Sequence, residues 1–70
     1  MTAEHNVVGK VAQCTQAIEA GEMGEVMVPV RGGSESFYAY AADAADSIPK
    51  GSRVLVLEQT APRTVTVSRY

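Results

Sequence analysis

The sequence predicts an all-β domain folded as a small five-stranded barrel. Short β-branched runs are separated by Gly and Pro along the whole chain, which is typical of β-meanders and barrels. The one stretch of helical composition, residues 41–46 (Ala-Ala-Asp-Ala-Ala-Asp), is long enough for a single turn. Five strands with a longer connection between the third and the fourth indicate an OB-fold-like barrel, in which closure removes exposed sheet edges.

A glycine-containing loop separates the first two strands. Strand one is predicted at residues 7–16, where Gly9 marks a bend or a bulge near its start. The loop at residues 20–24 leads into strand two at residues 25–30, which alternates between valines and other residues. Pro29 has no N–H for the ladder, so it favours an edge position or a strand end.

A hairpin, a third strand and a long connection follow. Residues 31–34 (Arg-Gly-Gly-Ser) predict a tight turn, because paired glycines adopt positive φ easily. Strand three, at residues 35–41, places small alanines opposite tyrosines, and inward alanines would let strands approach closely in a narrow barrel. Residues 48–51 (Ile-Pro-Lys-Gly) predict a type II turn that starts the next strand.

The last two strands complete the barrel. Strand four, at residues 53–59, is apolar on both faces, so its second face needs a cover. That cover is the connection at residues 41–47 or another protein, and the sequence leaves both open. A turn at residues 60–63 precedes strand five at residues 64–68. The predicted inner face, with a register that a one-residue slip would invert, consists of Val11, Val26, Val28, Phe37, Ala39, Val54, Val56, Val65 and Val67.

Composition excludes several classes of protein. The chain has 70 residues, enough for one domain, and carries a net charge of −2, which disfavours polybasic DNA-binding surfaces. One Cys excludes an internal disulfide, and one Cys with one His excludes a self-contained zinc site. Residues 1–6 are polar and unpatterned, so we expect a disordered leader or a cloning boundary before a single domain at residues 7–70.

Candidate catalytic residues do not assemble into an enzyme signature. His5, the only imidazole, lies in the polar leader, away from any rigid neighbour that could orient it. Cys14 on strand one is expected to be a buried small hydrophobe. Asp43 and Asp46 lie on an alanine-rich surface turn, where capping is expected rather than acid–base chemistry. We therefore predict no enzyme, no catalytic or metal-binding residues, no cofactor and no small-molecule substrate.

A binding surface is predicted instead around the second and third strands. Met27, Arg31, Tyr38 and Tyr40 form the predicted contact surface, since exposed apolar patches mark partner sites.

Nucleic-acid binding is the rival interpretation of the same surface. OB-type barrels bind single strands with stacking aromatics and a cationic groove, and tyrosines near Arg31 suit such a site. The negative net charge argues against this, as do Glu25 and Glu35, which flank the same hairpin. A stand-alone OB-fold that binds single-stranded nucleic acid is therefore kept as the alternative function.

The order of features resembles the C-terminal soluble domain of NfeD-like membrane proteins. Residues 24–26 (Gly-Glu-Val) enter strand two, and a Gly-rich hairpin leads to residues 37–39 (Phe-Tyr-Ala). Residues 48–56 (Ile-Pro-Lys-Gly-Ser-Arg-Val-Leu-Val) follow, before a last β-hairpin. Residues 8–12 (Val-Gly-Lys-Val-Ala) look like that domain's opening strand, so the resemblance covers residues 7–67.

The resemblance implies a function that the residues alone do not. In NfeD-like families the OB-type domain follows transmembrane helices, the genes are associated with stomatin/flotillin-type membrane proteins, and longer members carry a serine protease domain. The 70 residues contain neither transmembrane helices nor a protease domain. We therefore expect an excised soluble domain of a bacterial protein. The resemblance thus implies a non-catalytic interaction domain that is tethered to the cytoplasmic side of the cell membrane. Its expected role is to scaffold or regulate assemblies of membrane proteins. These assemblies would contain stomatin/flotillin-type proteins or membrane proteases.

Overall fold

Five strands form one closed barrel in the computed structural model, which describes residues 7–70. The strands are β1 Val11–Gln16, β2 Gly24–Val30, β3 Gly33–Ala41, β4 Arg53–Ala61 and β5 Thr64–Arg69. The predicted all-β barrel is confirmed, and every predicted strand is present with ends shifted by a few residues. The predicted leader, residues 1–6, lies outside the described residues. No helix in the described part of the chain is long and apolar enough to cross a membrane.

The strands are ordered β1-β2-β3-β5-β4, and the β4–β1 pair closes the barrel. The β3–β5 pair is parallel and the other four pairs are antiparallel. Because β2 lies between β1 and β3, Pro29 is not on a sheet edge. It lies near the end of β2, opposite Ser34 beside the hairpin, where the missing N–H is tolerated.

The first strand begins later than predicted, and this changes its inner face. Residues 7–10 form a turn in which the Lys10 N–H donates to the Val7 carbonyl at 3.1 Å, and Gly9 adopts a positive φ of 88°. The predicted bend at Gly9 is therefore confirmed. The prediction that Val11 faces inward is wrong: Val11 is half-buried, while Ala12 and its cross-strand partner Val54 are buried. The reason is that the turn at residues 7–10 interrupts the alternation of side chains that was expected from residue 7 onward.

The remaining eight predicted inner residues are buried, from Val26 on β2 to Val67 on β5. Sequence reasoning missed Ile18 and Ile48, which lie in the two long connections and close one end of the barrel. The connection from β3 to β4 therefore lies across this end of the barrel. It leaves the Leu57 side chain on β4 42% exposed, so the second face of β4 is only partly covered.

Candidate interaction surface

Tyr38 and Tyr40 project from the outer face of β3. Their neighbours Phe37 and Ala39 are buried, and because successive side chains of a strand alternate, the tyrosines must point outward. Tyr38 is 50% and Tyr40 43% exposed. The two rings therefore present aromatic surface to solvent on a strand that is paired on both sides.

Met27 extends this surface onto β2. It lies opposite Ser36, and Glu25 lies opposite Tyr38, so Met27 is a diagonal neighbour of Tyr38 on the outer face. The Met27 side chain is 37% exposed. Met27, Tyr38 and Tyr40 together are called the tyrosine face below.

Arg31 is separated from the tyrosine face. It lies in the β2–β3 turn, which closes at the Val30–Gly33 pair. Tyr38 is five positions after Gly33 along β3, roughly 16 Å at the usual rise of a strand. Of the four residues predicted to form one surface, the structure brings three together and places Arg31 at the far end of β3.

Arg63 is the cation that lies beside β3. Its guanidinium donates to Glu35 Oε2 at 2.6 Å and to the Ser36 carbonyl at 2.9 Å, and its Cζ lies 5.6 Å from the centre of the Phe37 ring. Its own carbonyl accepts the Tyr38 N–H at 2.8 Å. The charge of Arg63 is thus already paired with Glu35, and the Arg63 side chain lies over the Phe37 ring.

The surroundings of the tyrosine face are acidic. Glu25 is the direct β2 neighbour of Tyr38, and Thr66 on β5 lies between Tyr40 and Glu58. At the usual strand spacing Glu58 is roughly 10 Å from Tyr40. Single-stranded nucleic acid needs a cationic groove beside its stacking rings. The cation beside β3, Arg63, is already paired with Glu35.

The acidic residues of the alanine-rich turn have structural partners. Asp43 Oδ1 accepts the Ala45 N–H at 3.0 Å, a bond that closes a turn, since residues 42–47 form no helix for Asp43 to cap. Both carboxylate oxygens of Asp46 lie 3.2 Å from Arg69 Nε, and the same guanidinium also donates to the Ser47 carbonyl. Arg69 therefore ties the β3–β4 connection to the end of β5.

Cys14 is a buried thiol on the inner face of β1. It is 1% exposed, as predicted, and its Sγ lies 3.1 Å from the Gln16 carbonyl and 3.8 Å from the Ile48 carbonyl. Burial raises the pKa of the Cys14 thiol, although hydrogen bonds with the backbone of Gln16 and Ile18 act in the opposite direction. Within residues 7–70, no three His, Cys, Asp or Glu side chains form a cluster that could hold a metal ion. His5 lies outside the described residues.

A shallow groove of about 380 Å³ runs over the outer face of β1, a feature that sequence reasoning missed. Gln13 pairs with Met27 on β2 and with Arg53 on β4, and Ser34 adds β3, so four strands contribute to it. Only the closure of β4 onto β1 brings these residues together, and no local pattern signals it. The lining includes Val11, Gln13, Met27, Pro29, Ser34 and Arg53.

Comparison with known proteins identifies the domain. The NfeD C-terminal domain family model matches residues 8–68. The chain belongs to this family. The resemblance seen in the sequence is thereby confirmed. No curated protein matches the chain.

Solved structures show the same NfeD fold. The soluble domain of the NfeD protein YuaF from Bacillus subtilis is 25% identical with a TM-score of 0.81, over 96% of this chain and 77% of that one. The C-terminal domain of stomatin operon partner protein 1510-C from Pyrococcus horikoshii is 24% identical with a TM-score of 0.67, over 100% and 97%.

A third structure has the same fold. It is the soluble domain of a Corynebacterium glutamicum membrane protein implicated in regulation of membrane protease activity. It is 21% identical with a TM-score of 0.66, over 87% of each chain. The NfeD domain described here is thus similar in fold to a domain that belongs to a membrane protein.

Proposed function

We propose that this NfeD domain is a non-catalytic interaction module of a membrane-anchored protein, in which it scaffolds or regulates assemblies of membrane proteins. The observation that carries the proposal is the tyrosine face, an exposed patch of aromatic and thioether side chains on rigid, fully paired strands. Tyrosine and methionine are enriched in protein interfaces, where they bury much area for little loss of rotamer freedom.

The chemistry of the domain supports a binding role over a catalytic one. A nucleophile needs an adjacent base and a lowered pKa, whereas Cys14 is buried with a raised pKa. The carboxylates of Asp43 and Asp46 are occupied by the Ala45 N–H and by Arg69. These residues stabilise the barrel and leave the outer surface for recognition.

The acidic neighbours of the tyrosine face indicate what its partner surface carries. Glu25 flanks Tyr38 directly, and Glu58 lies beyond Thr66. A partner that buries the tyrosines would place basic or neutral polar groups at this rim, because like charges across an interface are unfavourable. Stomatin/flotillin-type membrane proteins are the partner class proposed, in keeping with the relatives named above.

Membrane anchoring is part of the proposal. It is supported by the similar domain from a Corynebacterium glutamicum membrane protein, and the parent of this chain is proposed to hold the barrel at the cytoplasmic side of the cell membrane. An antibody to this domain should detect it in the membrane fraction of native cells, and protease added to intact cells should not cleave it. Recovery only in the cytosolic fraction would contradict the anchoring.

The partner is tested by crosslinking in native cells. A photoreactive phenylalanine in place of Tyr38 should yield a crosslinked membrane protein, identified by mass spectrometry, of the stomatin/flotillin type. Changing Tyr38 and Tyr40 together to Ala should reduce co-purification of that protein at least tenfold. Tyr70→Ala is the matched control, because Tyr70 is 73% exposed and follows β5, away from the tyrosine face. Equal loss in both variants, or no crosslinked membrane protein, would overturn the proposal.

A further inference from the structure

The groove over β1 has an apolar part. Its lining includes Val11 on β1 and Met27 and Pro29 on β2. Val11 also pairs with Leu55 on β4, which continues the apolar surface beyond the groove. An apolar side chain of about the size of Leu or Phe would therefore bury itself against β1.

Within residues 7–70, Arg53 lines this groove, Lys10 reaches its rim, and the lining contains no acidic residue. The Lys10 ammonium donates to the Pro29 carbonyl at 3.1 Å, which holds it at the rim. The Arg53 guanidinium lines the opposite side and makes no hydrogen bond or ion pair to other residues in the described part of the chain. In a chain with a net charge of −2, this local excess of positive charge selects an anionic ligand.

The shape of the groove indicates an extended ligand. Gln13, Met27 and Pro29 are exposed, so the groove is open along its length and cannot enclose a small molecule as typical ligand pockets do. Strand addition is excluded because β1 is paired with both β2 and β4. The ligand must therefore lie across the strands and bind through its side chains.

We propose that this groove binds an extended segment of a partner protein in which an apolar side chain is flanked by acidic residues. The apolar side chain packs against Val11, Met27 and Pro29, while carboxylates pair with Arg53 and Lys10. The inference rests on the proposed function as a protein-interaction module and adds the chemistry of the recognised segment. It concerns a surface adjacent to the tyrosine face, with Met27 shared between the two.

Peptide titration followed by NMR tests this. The probe is the blocked hexapeptide Asp-Glu-Leu-Phe-Glu-Asp, with Asn-Gln-Leu-Phe-Gln-Asn as its uncharged analogue. Shifts of ¹⁵N–¹H resonances should concentrate at Val11, Gln13, Met27 and Arg53. The uncharged analogue should bind about tenfold more weakly, and affinity for the acidic peptide should fall as salt rises.

Matched variants locate the charge effect. Arg53→Gln should weaken binding of the acidic peptide about threefold. Arg31→Gln removes the same charge from the β2–β3 turn, outside the groove, and should leave the affinity unchanged. Equal weakening in both variants, shifts centred on the tyrosines, or no shifts at millimolar peptide would overturn the proposal. Concentration-dependent shifts of the free protein at the same residues would also overturn it, because they would assign the groove to a second copy.

The two proposals fail separately. If the tyrosine variants lose the crosslinked partner while Arg53→Gln retains it and the peptide does not bind, the groove proposal fails and the interaction module stands. If the peptide binds as described but no membrane protein is crosslinked, the proposed cellular function fails while the groove chemistry stands.

Discussion

Ile18 and Ile48 exchange both of their backbone hydrogen bonds, with N–H to carbonyl distances of 2.9 Å and 2.8 Å. Each lies in a loop, Ile18 between β1 and β2 and Ile48 between β3 and β4, and their side chains are 0% and 1% exposed. This isolated bridge closes the end of the barrel where the valines of the strands stop. Much of the stability of the domain is therefore expected to depend on two connections.

Truncating the bridge should destabilise the fold strongly. Ile48→Ala removes buried methyl groups and leaves a cavity, so the free energy of unfolding should fall by about 2–5 kcal/mol in urea titrations. Leu57→Ala is the control, because Leu57 is largely exposed and its loss should change stability by about 0.5 kcal/mol or less. A domain this small has only a few kcal/mol to lose, so Ile48→Val, expected at about 1 kcal/mol, provides a folded variant. Equal effects at positions 48 and 57 would contradict the closed end.

Gly24 has no room for a side chain. A Cβ there would lie 2.5 Å from Ile18 Cγ1, 2.6 Å from the Gln16 carbonyl oxygen and 2.7 Å from the Ala17 carbonyl oxygen. Two of these atoms are backbone, so rotamer changes cannot relieve the overlap, and Gly24→Ala should lower the free energy of unfolding by about 3 kcal/mol or more.

The control for Gly24 separates crowding from backbone conformation. Gly21 has a φ of +74° and open space around its Cβ position, so Gly21→Ala should cost only about 1 kcal/mol. Thermal or urea unfolding of both variants measures the difference. A Gly24→Ala variant as stable as Gly21→Ala would show that the approach of Ile18 to β2 is looser than described.

The face assignment of β1 can be tested with one substitution type. Val→Thr keeps shape but adds a hydroxyl, which is costly only when buried without a partner. Val54→Thr should lower the free energy of unfolding by about 1–3 kcal/mol, because Val54 is 0% exposed. Val11→Thr should change it by about 0.5 kcal/mol or less, because Val11 faces outward. If Val11→Thr is as costly as Val54→Thr, β1 has the opposite register.

The Cys14 thiol should make stability fall at alkaline pH. Its pKa is raised in the folded state by burial, so the unfolded chain loses the thiol proton at a lower pH than the folded one. The contribution of Cys14 is thus complete below the ordinary thiol pKa of about 8.5 and is lost as pH rises through the folded pKa. Urea unfolding between pH 7 and pH 10 should show a steeper decline for the wild type than for Cys14→Ala. Parallel curves would contradict this prediction.

Arg69 should order the β3–β4 connection more than it stabilises the whole domain. Its contacts to Asp46 and Ser47 are solvent-exposed, so Arg69→Gln should lower the free energy of unfolding by about 1 kcal/mol or less. Hydrogen exchange should nevertheless accelerate at the Ala45 and Asp46 amides, which bond within this turn. Arg31→Gln, in the opposite turn, should leave these amides unchanged. If the hydrogen-exchange rates of these amides are unchanged in Arg69→Gln, the turn is ordered without the contacts of Arg69.

Most of the fold was predicted from local patterns, each of which can be recognised within a few consecutive residues. Strict valine alternation in β2 and β5 predicts which side chains face inward whatever the partner strands are. Gly and Pro mark the turns in the same way. The predicted start of β1 and the inward direction of Val11 were wrong, because the sequence Val-Ala-Gln-Cys-Thr-Gln has weak alternation and a turn at residues 7–10 restarts the pattern.

The candidate surface was predicted only in part, for a related reason. Tyr38 and Tyr40 share a strand, so their common face follows from alternation, and Met27 follows from the hairpin register. The position of Arg31 depends on how far the hairpin extends beyond the tyrosines, and the partner of Arg63 depends on β5 lying beside β3. The second of these depends on a strand that is distant in the sequence, whereas the separation of Arg31 from Tyr38 was already implied by the predicted turn at residues 31–34.

By itself, the sequence determined the β class of this protein, the locations of its strands, most of its inward faces and its resemblance to the NfeD C-terminal domain. These depend on side-chain period, turn chemistry and motif order, which act over short distances along the chain. The tertiary structure decided the inner face of β1, the Ile18–Ile48 closure and the groove in which Met27 and Arg53 lie on either side of Gln13. Closing β4 onto β1 brings distant segments together, and the register of that contact is set by packing the whole core at once.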